Sequence, residues 1–243
     1  MQNKTPSEIF NKEHAASYDK QRANLAPMRD ALHLLMRVVL LERPRDAKVL
    51  CVGVGTGMEL TYLAQVFPHW QFTAVEPSVA MLNVCRLQAE EAGFASRCSF
   101  HQGYLDTLPD SGLFDAATSL LVSQFLVNQE ERKTYFSQIA AQLHPGGVLI
   151  NADLAADRST ATYTSLLKLW KTTLAYSGMP KSQLEKFVAF EDVAVLPVRK
   201  VESIIASAGF DAPVLFLQTV FIHAWYAIHK NSSISPKTIT LIP

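Results

Sequence analysis

The residues with the clearest chemical purpose form a glycine-rich segment at residues 49–60, VLCVGVGTGMEL. Its apolar first half is typical of a buried strand, and its second half is typical of the start of a helix. Gly53, Gly55 and Gly57 lie between them. Glycines before a helix let a ligand approach the backbone, and the first N–H groups of the helix are unpaired and suit an anion. The segment is therefore a candidate cofactor-binding turn, with a purely structural turn as the alternative.

A carboxylate follows this turn at the distance expected for a ribose-binding acid. Glu76 ends the next apolar run, about 20 residues beyond the glycines. It would accept hydrogen bonds from both ribose hydroxyls, although it could instead begin a loop or cap the next helix. A dinucleotide fingerprint would place its third glycine at position 58, where Met58 stands, so the spacing disfavours a dinucleotide. The Thr56-x-x-Glu59 spacing matches a capping box, which predicts that the helix begins there.

The composition is that of a globular protein without a strong charge. The 243 residues are 49% hydrophobic and 18% charged, and 22 basic side chains balance 22 acidic ones. We expect no nucleic-acid partner, because balanced charge gives no field that attracts a phosphate backbone. The cysteines Cys51, Cys85 and Cys98 lack metal-ligand spacing, so we expect reduced core thiols and no metal site. With no leader and no run of about 20 apolar residues, we expect a cytoplasmic protein without a membrane partner.

From residue 48 onward, short apolar runs alternate with helical stretches, as in a parallel sheet covered on both faces. Strands are predicted at residues 49–54, 72–75, 98–102, 114–121, 148–151, 214–218 and 221–229. Helices are predicted over the first 45 residues and at 58–67, 79–92, 130–143 and 198–208, with Gly146 and Gly147 ending the fourth of these as a C-cap. The last two strands would form an antiparallel hairpin at one sheet edge. Two further helices are predicted within residues 159–190.

Together these segments resemble the class I S-adenosylmethionine-dependent methyltransferases over residues 6–229. The matching pieces are VLCVGVGTG, the acid in AVEPS, QGYLDTLP, FDAATSLLVSQFL, LHPGGVLINAD and a helix ending in SAGF. The resemblance implies an α/β fold with a Rossmann-like seven-stranded sheet of order 3-2-1-4-5-7-6, strand 7 being antiparallel. It implies a single domain at residues 1–230, with an N-terminal helical cap at 1–45, a helical insert or lid at 155–195 after strand 5, and a loosely held tail at 231–243.

The resemblance also implies the cofactor, S-adenosyl-L-methionine, and its contacts. Gly53, Val54, Gly55 and Gly57 would lie beside the methionine part, and Glu76 would bind the ribose hydroxyls. The adenine would lie beside Pro77 or Met81 and would be bordered by Gly103, Tyr104 and Leu105. Ser119 and Leu120 would lie along the cofactor beneath the reactive methyl group. Tyr18 resembles the N-terminal tyrosine of the family that often closes over the cofactor, with helix packing as the alternative.

Two positions depart from the family's pattern. Cys51 stands where the family often has an acid that helps to hold the ammonium group of the cofactor. Tyr104 stands where it often has an aspartate that accepts from the adenine amino group. Each lost contact is worth on the order of 1 kcal/mol or more. Stacking of Tyr104 on adenine would replace one lost contact, and backbone groups near position 51 would replace the other. The alternative is a weakened or altered cofactor site.

Candidates for the substrate pocket follow the carboxyl ends of the strands, where open α/β sheets bind ligands. Ser123, Gln124 and Phe125 follow strand 4, Tyr163 and Trp170 belong to the insert, and His223 belongs to the last strand. The aromatic residues could equally belong to the core, and the apolar neighbours of His223 favour a structural role for it. The sequence indicates no catalytic residue, because in-line methyl transfer depends on positioning and a nucleophilic acceptor needs no base.

Three functions remain open at this point. The first is methyl transfer from S-adenosylmethionine to a small-molecule acceptor by in-line displacement, since neutral charge and an apolar insert favour a small substrate. The second is a cofactor-modifying synthase of the carboxy-S-adenosylmethionine type, which shares the layout. It would need a basic side chain for the added carboxylate, and residues 183–195 offer only Lys186. The third is a non-catalytic S-adenosylmethionine-binding protein, against which the intact glycines and Glu76 argue.

Overall fold

The apolar runs pair into one sheet in the computed structural model, which describes residues 23–190 and 193–230. The strands are β1 (Lys48–Val52), β2 (Gln71–Glu76), β3 (Cys98–Gln102), β4 (Phe114–Leu120), β5 (Leu143–Leu154), β6 (Val214–Thr219) and β7 (Ile222–Ile228). Their order is β3-β2-β1-β4-β5-β7-β6. The first five strands are parallel, and β7 is antiparallel to both β5 and β6. The predicted fold class and strand order are thus confirmed.

Helices cover both faces of this sheet. They are α1 (Ala26–Leu40), α2 (Met58–Val66), α3 (Val79–Glu91), α4 (Gln129–Ala141), α5 (Tyr163–Tyr176), α6 (Lys181–Ala189) and α7 (Val198–Ser207). Side-chain caps begin two of them, because Ser78 accepts from the Met81 N–H before α3 and Asn128 accepts from two N–H groups of α4. Within the described residues, none of the helices combines the length and apolar character that a membrane span requires.

The central strand β1 is buried on both faces, as its unbroken apolar sequence predicts. Val49 and Cys51 belong to the core under α2 and α3, whereas Leu50 and Val52 belong to the core under α4 and α7. The three cysteines form no disulfide. Burial raises the pKa of Cys98 to about 11 and raises the pKa values of Cys51 and Cys85 further above the ordinary thiol value. The thiols are therefore protonated core side chains at neutral pH.

The insert builds a third core at the carboxyl edge of the sheet. Side chains of α5 and α6 surround Phe221, which lies at the turn of the β6–β7 hairpin and is fully buried. Leu25 and Met28, at the start of α1, pack against the same cluster. The chain returns to the sheet through Ala156 and Leu196, whose N–H and C=O groups are 2.9 Å apart. The insert and the first described helix thus share one apolar cluster.

The segment between α4 and β5 differs from the prediction. Helix α4 ends at Ala141 with Gln142 as its C-cap, and β5 already begins at Leu143. Gly146 and Gly147 are therefore not a helix cap: they exchange backbone hydrogen bonds with His229 at 2.9 and 2.8 Å. Pairing with the last strand extends β5 toward its amino end, because each N–H and C=O of a buried segment needs a partner. Tyr18 and the predicted tail at residues 231–243 lie outside the described residues.

Candidate cofactor site

The glycine-rich turn folds over the end of β2. The N–H groups of Gly53 and Val54 donate to the carbonyl oxygen of Val75 at 2.8 and 3.2 Å, and the Gly57 N–H donates to the Val54 carbonyl at 2.9 Å. These hydrogen bonds fix the turn to the neighbouring strand. The remaining surface of the turn is the part that a ligand could contact.

The predicted capping box is wrong. Helix α2 begins at Met58, and its N-cap is Gly57 in a left-handed conformation (φ 87°) without a side-chain cap. Only glycine adopts this conformation at little cost, so the cap moves one residue beyond Thr56. Glu59 consequently lies within the first turn of α2, where its side chain is 8% exposed. Burial raises its pKa to about 8.

Two of the three glycines make room for protein, and one leaves an open side. A Cβ at Gly53 would lie 2.6 Å from a methyl carbon of Val122, and one at Gly57 would lie 2.5 Å from the Cys85 sulfur. No atom of the described residues lies within 4 Å of the corresponding position at Gly55. A ligand can therefore approach the turn at Gly55, while its flanks are packed against the loop after β4 and against α3.

Glu76 joins the open side of the turn to the end of β2. One carboxylate oxygen accepts from the Gly55 N–H at 3.0 Å, and the other accepts from the Ser78 N–H at 2.9 Å. Burial raises the pKa of Glu76, whereas these two backbone hydrogen bonds oppose the rise. Each carboxylate oxygen keeps a second lone pair, which is the acceptor that each hydroxyl of a ribose requires. The arrangement therefore fits a ribose beside Gly55.

The residues predicted at the adenine form the next part of the same edge. Met81 is buried in the first turn of α3, and Pro77 is half-buried. The Gly103 N–H donates to the carbonyl oxygen of Glu76 at 3.1 Å, which brings the segment after β3 beside the acid. Tyr104 follows with its side chain half exposed, whereas Leu105 is buried. An exposed tyrosine ring offers a flat surface for stacking, and it has no carboxylate with which to accept from an amino group.

The end of β4 closes the opposite side of the turn. Ser119 is fully buried, and its hydroxyl lies 2.8 Å from the Tyr135 hydroxyl. Burial raises the pKa of Tyr135, so both hydroxyls remain neutral. Leu120 is half-buried, and Leu121 has a left-handed backbone (φ 60°). This sharp reversal lets the next residue, Val122, turn back onto Gly53.

A buried polar network holds the loop that follows β4. The side chains of Arg132 and Asp153 are both fully buried, and Arg132 Nη2 lies 3.1 Å from Asp153 Oδ2. Ser123 accepts from Arg132 Nε at 2.8 Å and donates to Asp153 at 2.6 Å, and Asn151 donates to the same Asp153 oxygen at 2.8 Å. The Gln124 N–H donates to the other oxygen at 3.0 Å. Ser123 and Gln124 are thus anchored within the protein, and their predicted pocket roles stay predictions.

Arg132 and Asp153 were not among the residues predicted from the sequence. The run QEERKT looks like a solvated helix start, because four of its six residues are charged. A signal was present in the helical spacing, since Arg132 shares a face with Phe136 and Ile139, and all three are buried. That face lies against the core under α4 and α7.

The predicted aromatic pocket residues pack around Phe221. The ring centroids of Tyr163 and Trp170 lie 5.8 and 6.0 Å from that of Phe221. The indole nitrogen of Trp170 is buried and has no hydrogen-bond partner among the described residues. Phe125 is half-buried in the short helical turn after β4. Tyr163 and Trp170 therefore pack in the cluster around Phe221, and their predicted pocket roles stay predictions.

His223 lies opposite Asp153 in the β5–β7 register. Its ring nitrogen Nδ1 is 3.0 Å from the Phe221 carbonyl oxygen, and only a protonated nitrogen can bond to that acceptor. Burial lowers the pKa of His223. The imidazole is therefore neutral at pH 7, with its proton on Nδ1. Within the described ranges, no cluster of three or more histidine, cysteine or acidic residues could hold a metal ion.

A seven-stranded sheet of this order, with a glycine turn after β1 and an acid at the end of β2, is a Rossmann-like α/β fold. Residues 49–147 match the sequence profile of a methyltransferase domain. This match agrees with the resemblance of the sequence to the class I methyltransferases.

Individual methyltransferases are also similar to about half of the chain. The trans-aconitate 2-methyltransferase of Deinococcus radiodurans is 32% identical over 127 residues, which are 52% of this chain and 43% of that protein. The O-methyltransferase cnsE of Penicillium expansum is 31% identical over 120 residues, 49% of this chain and 42% of that protein. The matched segments thus span less than half the length of either relative. A candidate O-methyltransferase from Nostoc punctiforme has a similar fold, with a TM-score of 0.66, 19% identity, and coverage of 88% of this chain and 58% of its own.

Proposed function

We propose that this protein binds S-adenosylmethionine and transfers its methyl group to a small-molecule acceptor. The observation that carries the proposal is the carboxylate of Glu76, which accepts from the Gly55 N–H on the open side of the glycine turn. A buried acid with free lone pairs beside a turn that leaves room for a ligand fits a ribose, and the match of residues 49–147 to a methyltransferase domain supports S-adenosylmethionine as the nucleoside. Gly53, Val54 and Gly55 would lie beside the methionine part.

S-adenosylmethionine supplies an electrophilic methyl group on its sulfonium. The residues of this chain would contribute position: Leu120 and the reversal at Leu121 border the end of β4, and the network around Asp153 fixes the loop behind them. Holding an acceptor in line with the methyl group supplies much of the rate of such a displacement. We therefore expect an acceptor that is already nucleophilic and needs no catalytic base from this chain.

The apolar side chains near this edge of the sheet favour a small acceptor with an apolar body. The insert and the start of α1 present a common apolar cluster next to the carboxyl edge of the sheet. The buried indole N–H of Trp170 would satisfy an oxygen of such a molecule, because a buried donor without a partner is costly. The relatives carry names of methyltransferases that act on a small acid or on oxygen. These names support a small acceptor with an oxygen nucleophile.

Calorimetric titration with S-adenosylmethionine and with S-adenosylhomocysteine tests this proposal directly. We expect both to bind with one site per chain. Folded protein that binds neither would refute it. Binding of both with no methyl transfer over a panel of small carboxylic acids, phenols and alcohols would instead support a non-catalytic binding protein. Mass spectrometry of ligand that copurifies with the protein would reveal a cofactor enlarged by a carboxylate, which would support the synthase.

A further inference from the structure

The amino-acid end of S-adenosylmethionine sets a demand that the site described so far does not meet. This end carries a carboxylate and an ammonium group. The N-terminus of α2, with its helix dipole, suits the carboxylate. The ammonium group needs an anionic or carbonyl acceptor, because a buried charge without a partner costs several kcal/mol.

Neither Glu76 nor position 51 meets this demand. Both oxygens of Glu76 already accept from backbone N–H groups and face the proposed ribose. Cys51 is completely buried at the end of β1, and burial raises its pKa well above the ordinary thiol value. Position 51 therefore carries a neutral side chain at pH 7.

Glu59 is the acid that remains beside the turn. It is the second residue of α2 and is more than nine-tenths buried. Its charge acts on Cys51 at the end of β1 and on Cys85 of α3, and it interacts with Glu76 at the end of β2. Glu59 follows the N-cap Gly57 by two residues, so it lies where the glycine turn joins α2, and its carboxylate accepts from its own backbone N–H. Among the described residues, no lysine or arginine forms an ion pair with it.

We propose that Glu59 binds the ammonium group of S-adenosylmethionine and supplies the carboxylate that position 51 lacks. This inference rests on the proposed function. A buried acid at the first turn of α2 has the helix N-terminus to stabilise its ionised form, and a cation placed beside it would complete the pair.

The proposal predicts that ligand binding releases a proton. Burial holds the pKa of Glu59 at about 8, so the carboxyl group is mostly protonated at pH 7 before the ligand binds. The titratable groups that face it are Cys51, Cys85 and Glu76, and the two thiols stay neutral. Pairing with an ammonium group ionises Glu59. Binding at pH 7 would therefore release most of one proton, and affinity would rise with pH up to about 8.

The experiment compares two ligands in calorimetric titrations. S-adenosylhomocysteine carries the ammonium group, whereas 5′-methylthioadenosine keeps the nucleoside and lacks the amino-acid end. Glu59→Gln should weaken binding of S-adenosylhomocysteine about 10- to 100-fold, as expected for a hydrogen bond to a charged group. Binding of 5′-methylthioadenosine should be unchanged. Titrations of the unmodified protein in two buffers of different ionisation enthalpy should reveal the released proton, and Glu59→Gln should abolish it.

Cys51→Asp gives a matched control. In the unmodified background it would place two carboxylates in one site, so we expect no gain in affinity. Combined with Glu59→Gln it should recover most of the lost affinity for S-adenosylhomocysteine. This pattern distinguishes a missing charge from a disturbed helix start.

Three results would overturn the inference while leaving the proposed function intact. They are equal binding of S-adenosylhomocysteine by Glu59→Gln and the unmodified protein, equal losses for both ligands, and no proton release by the unmodified protein. The last measurement needs no variant, so it decides the matter even if Glu59→Gln does not fold. Failure of the unmodified protein to bind either ligand would refute the proposed function, and with it this inference.

Discussion

Two buried carboxylates lie at the carboxyl ends of parallel strands, Glu76 on β2 and Asp153 on β5, and their surroundings differ. Glu76 accepts from two backbone N–H groups and faces the open side of the glycine turn. Asp153 is surrounded by protein donors: a guanidinium group, a hydroxyl, an amide and a backbone N–H. The first carboxylate has acceptor capacity left for a ligand, whereas the second uses its capacity within the protein.

The comparison shows that burial of an acid at this sheet edge is not by itself a sign of ligand binding. What distinguishes Glu76 is the kind of partner. Backbone N–H groups hold the carboxylate in place without neutralising it, whereas the guanidinium group of Arg132 neutralises Asp153. Charge left uncompensated beside open space is the feature that a ligand can use.

The largest effect is expected for Asp153→Asn. The change leaves the fully buried Arg132 guanidinium without its anion, which should lower the free energy of unfolding by about 3–5 kcal/mol. Urea denaturation followed by circular dichroism measures this loss. Arg132→Met combined with Asp153→Leu removes both charges and should recover a large part of it. A loss below about 1 kcal/mol in the single variant would contradict the structural role of the pair.

A somewhat smaller effect is expected for Gly53→Ala. The left-handed backbone costs about 1–2 kcal/mol for a residue with a Cβ. Overlap with Val122 adds about 1–3 kcal/mol. Gly55→Ala is the matched control, because it has the same backbone cost and no atom of the described residues within 4 Å. Equal losses for the two variants in urea denaturation would contradict the packing of Val122 on the turn. Val122→Ala should partly rescue Gly53→Ala.

Glu76→Gln should act mainly on the ligand. Replacing one carboxylate oxygen by an NH₂ group removes an acceptor from the ribose and from one backbone N–H. Affinity for S-adenosylhomocysteine should fall by about 1.5–3 kcal/mol, or about 10- to 100-fold. Calorimetric titration checks this value. Glu185→Gln, an exposed change on α6, serves as the control. Affinity within twofold of the unmodified protein would remove Glu76 from the site.

The smallest effect is expected for Lys171→Ala. Lys171 and Glu185 form an ion pair of 2.8 Å between α5 and α6, with side chains 40% and 70% exposed. Such pairs contribute about 0.2–1 kcal/mol, because water screens them and both side chains lose freedom. The free energy of unfolding from urea denaturation should therefore barely differ between this variant and the unmodified protein. A loss above about 1.5 kcal/mol would show that exposure does not explain the contrast with Arg132 and Asp153.

The sequence predicted the parts of the molecule that depend on local backbone chemistry. The glycines and Glu76 are close in sequence and need particular residue types, so their spacing carries information. The strand order came from a whole-chain resemblance and is confirmed. The network around Asp153 was not predicted, because Arg132 reaches the carbonyl of Ala194, 62 residues away. Partners that distant leave no local pattern, and the charged neighbours of Arg132 hide its burial.

The cysteines have a practical consequence. Alkylating reagents and peroxides attack the thiolate, and the raised pKa values of Cys51, Cys85 and Cys98 leave almost no thiolate at neutral pH. The native chain should therefore remain unmodified by maleimide under mild conditions. A cysteine introduced on an exposed part of the insert would then be the reactive one. A fluorophore attached there could report movement of the insert without prior removal of the native thiols.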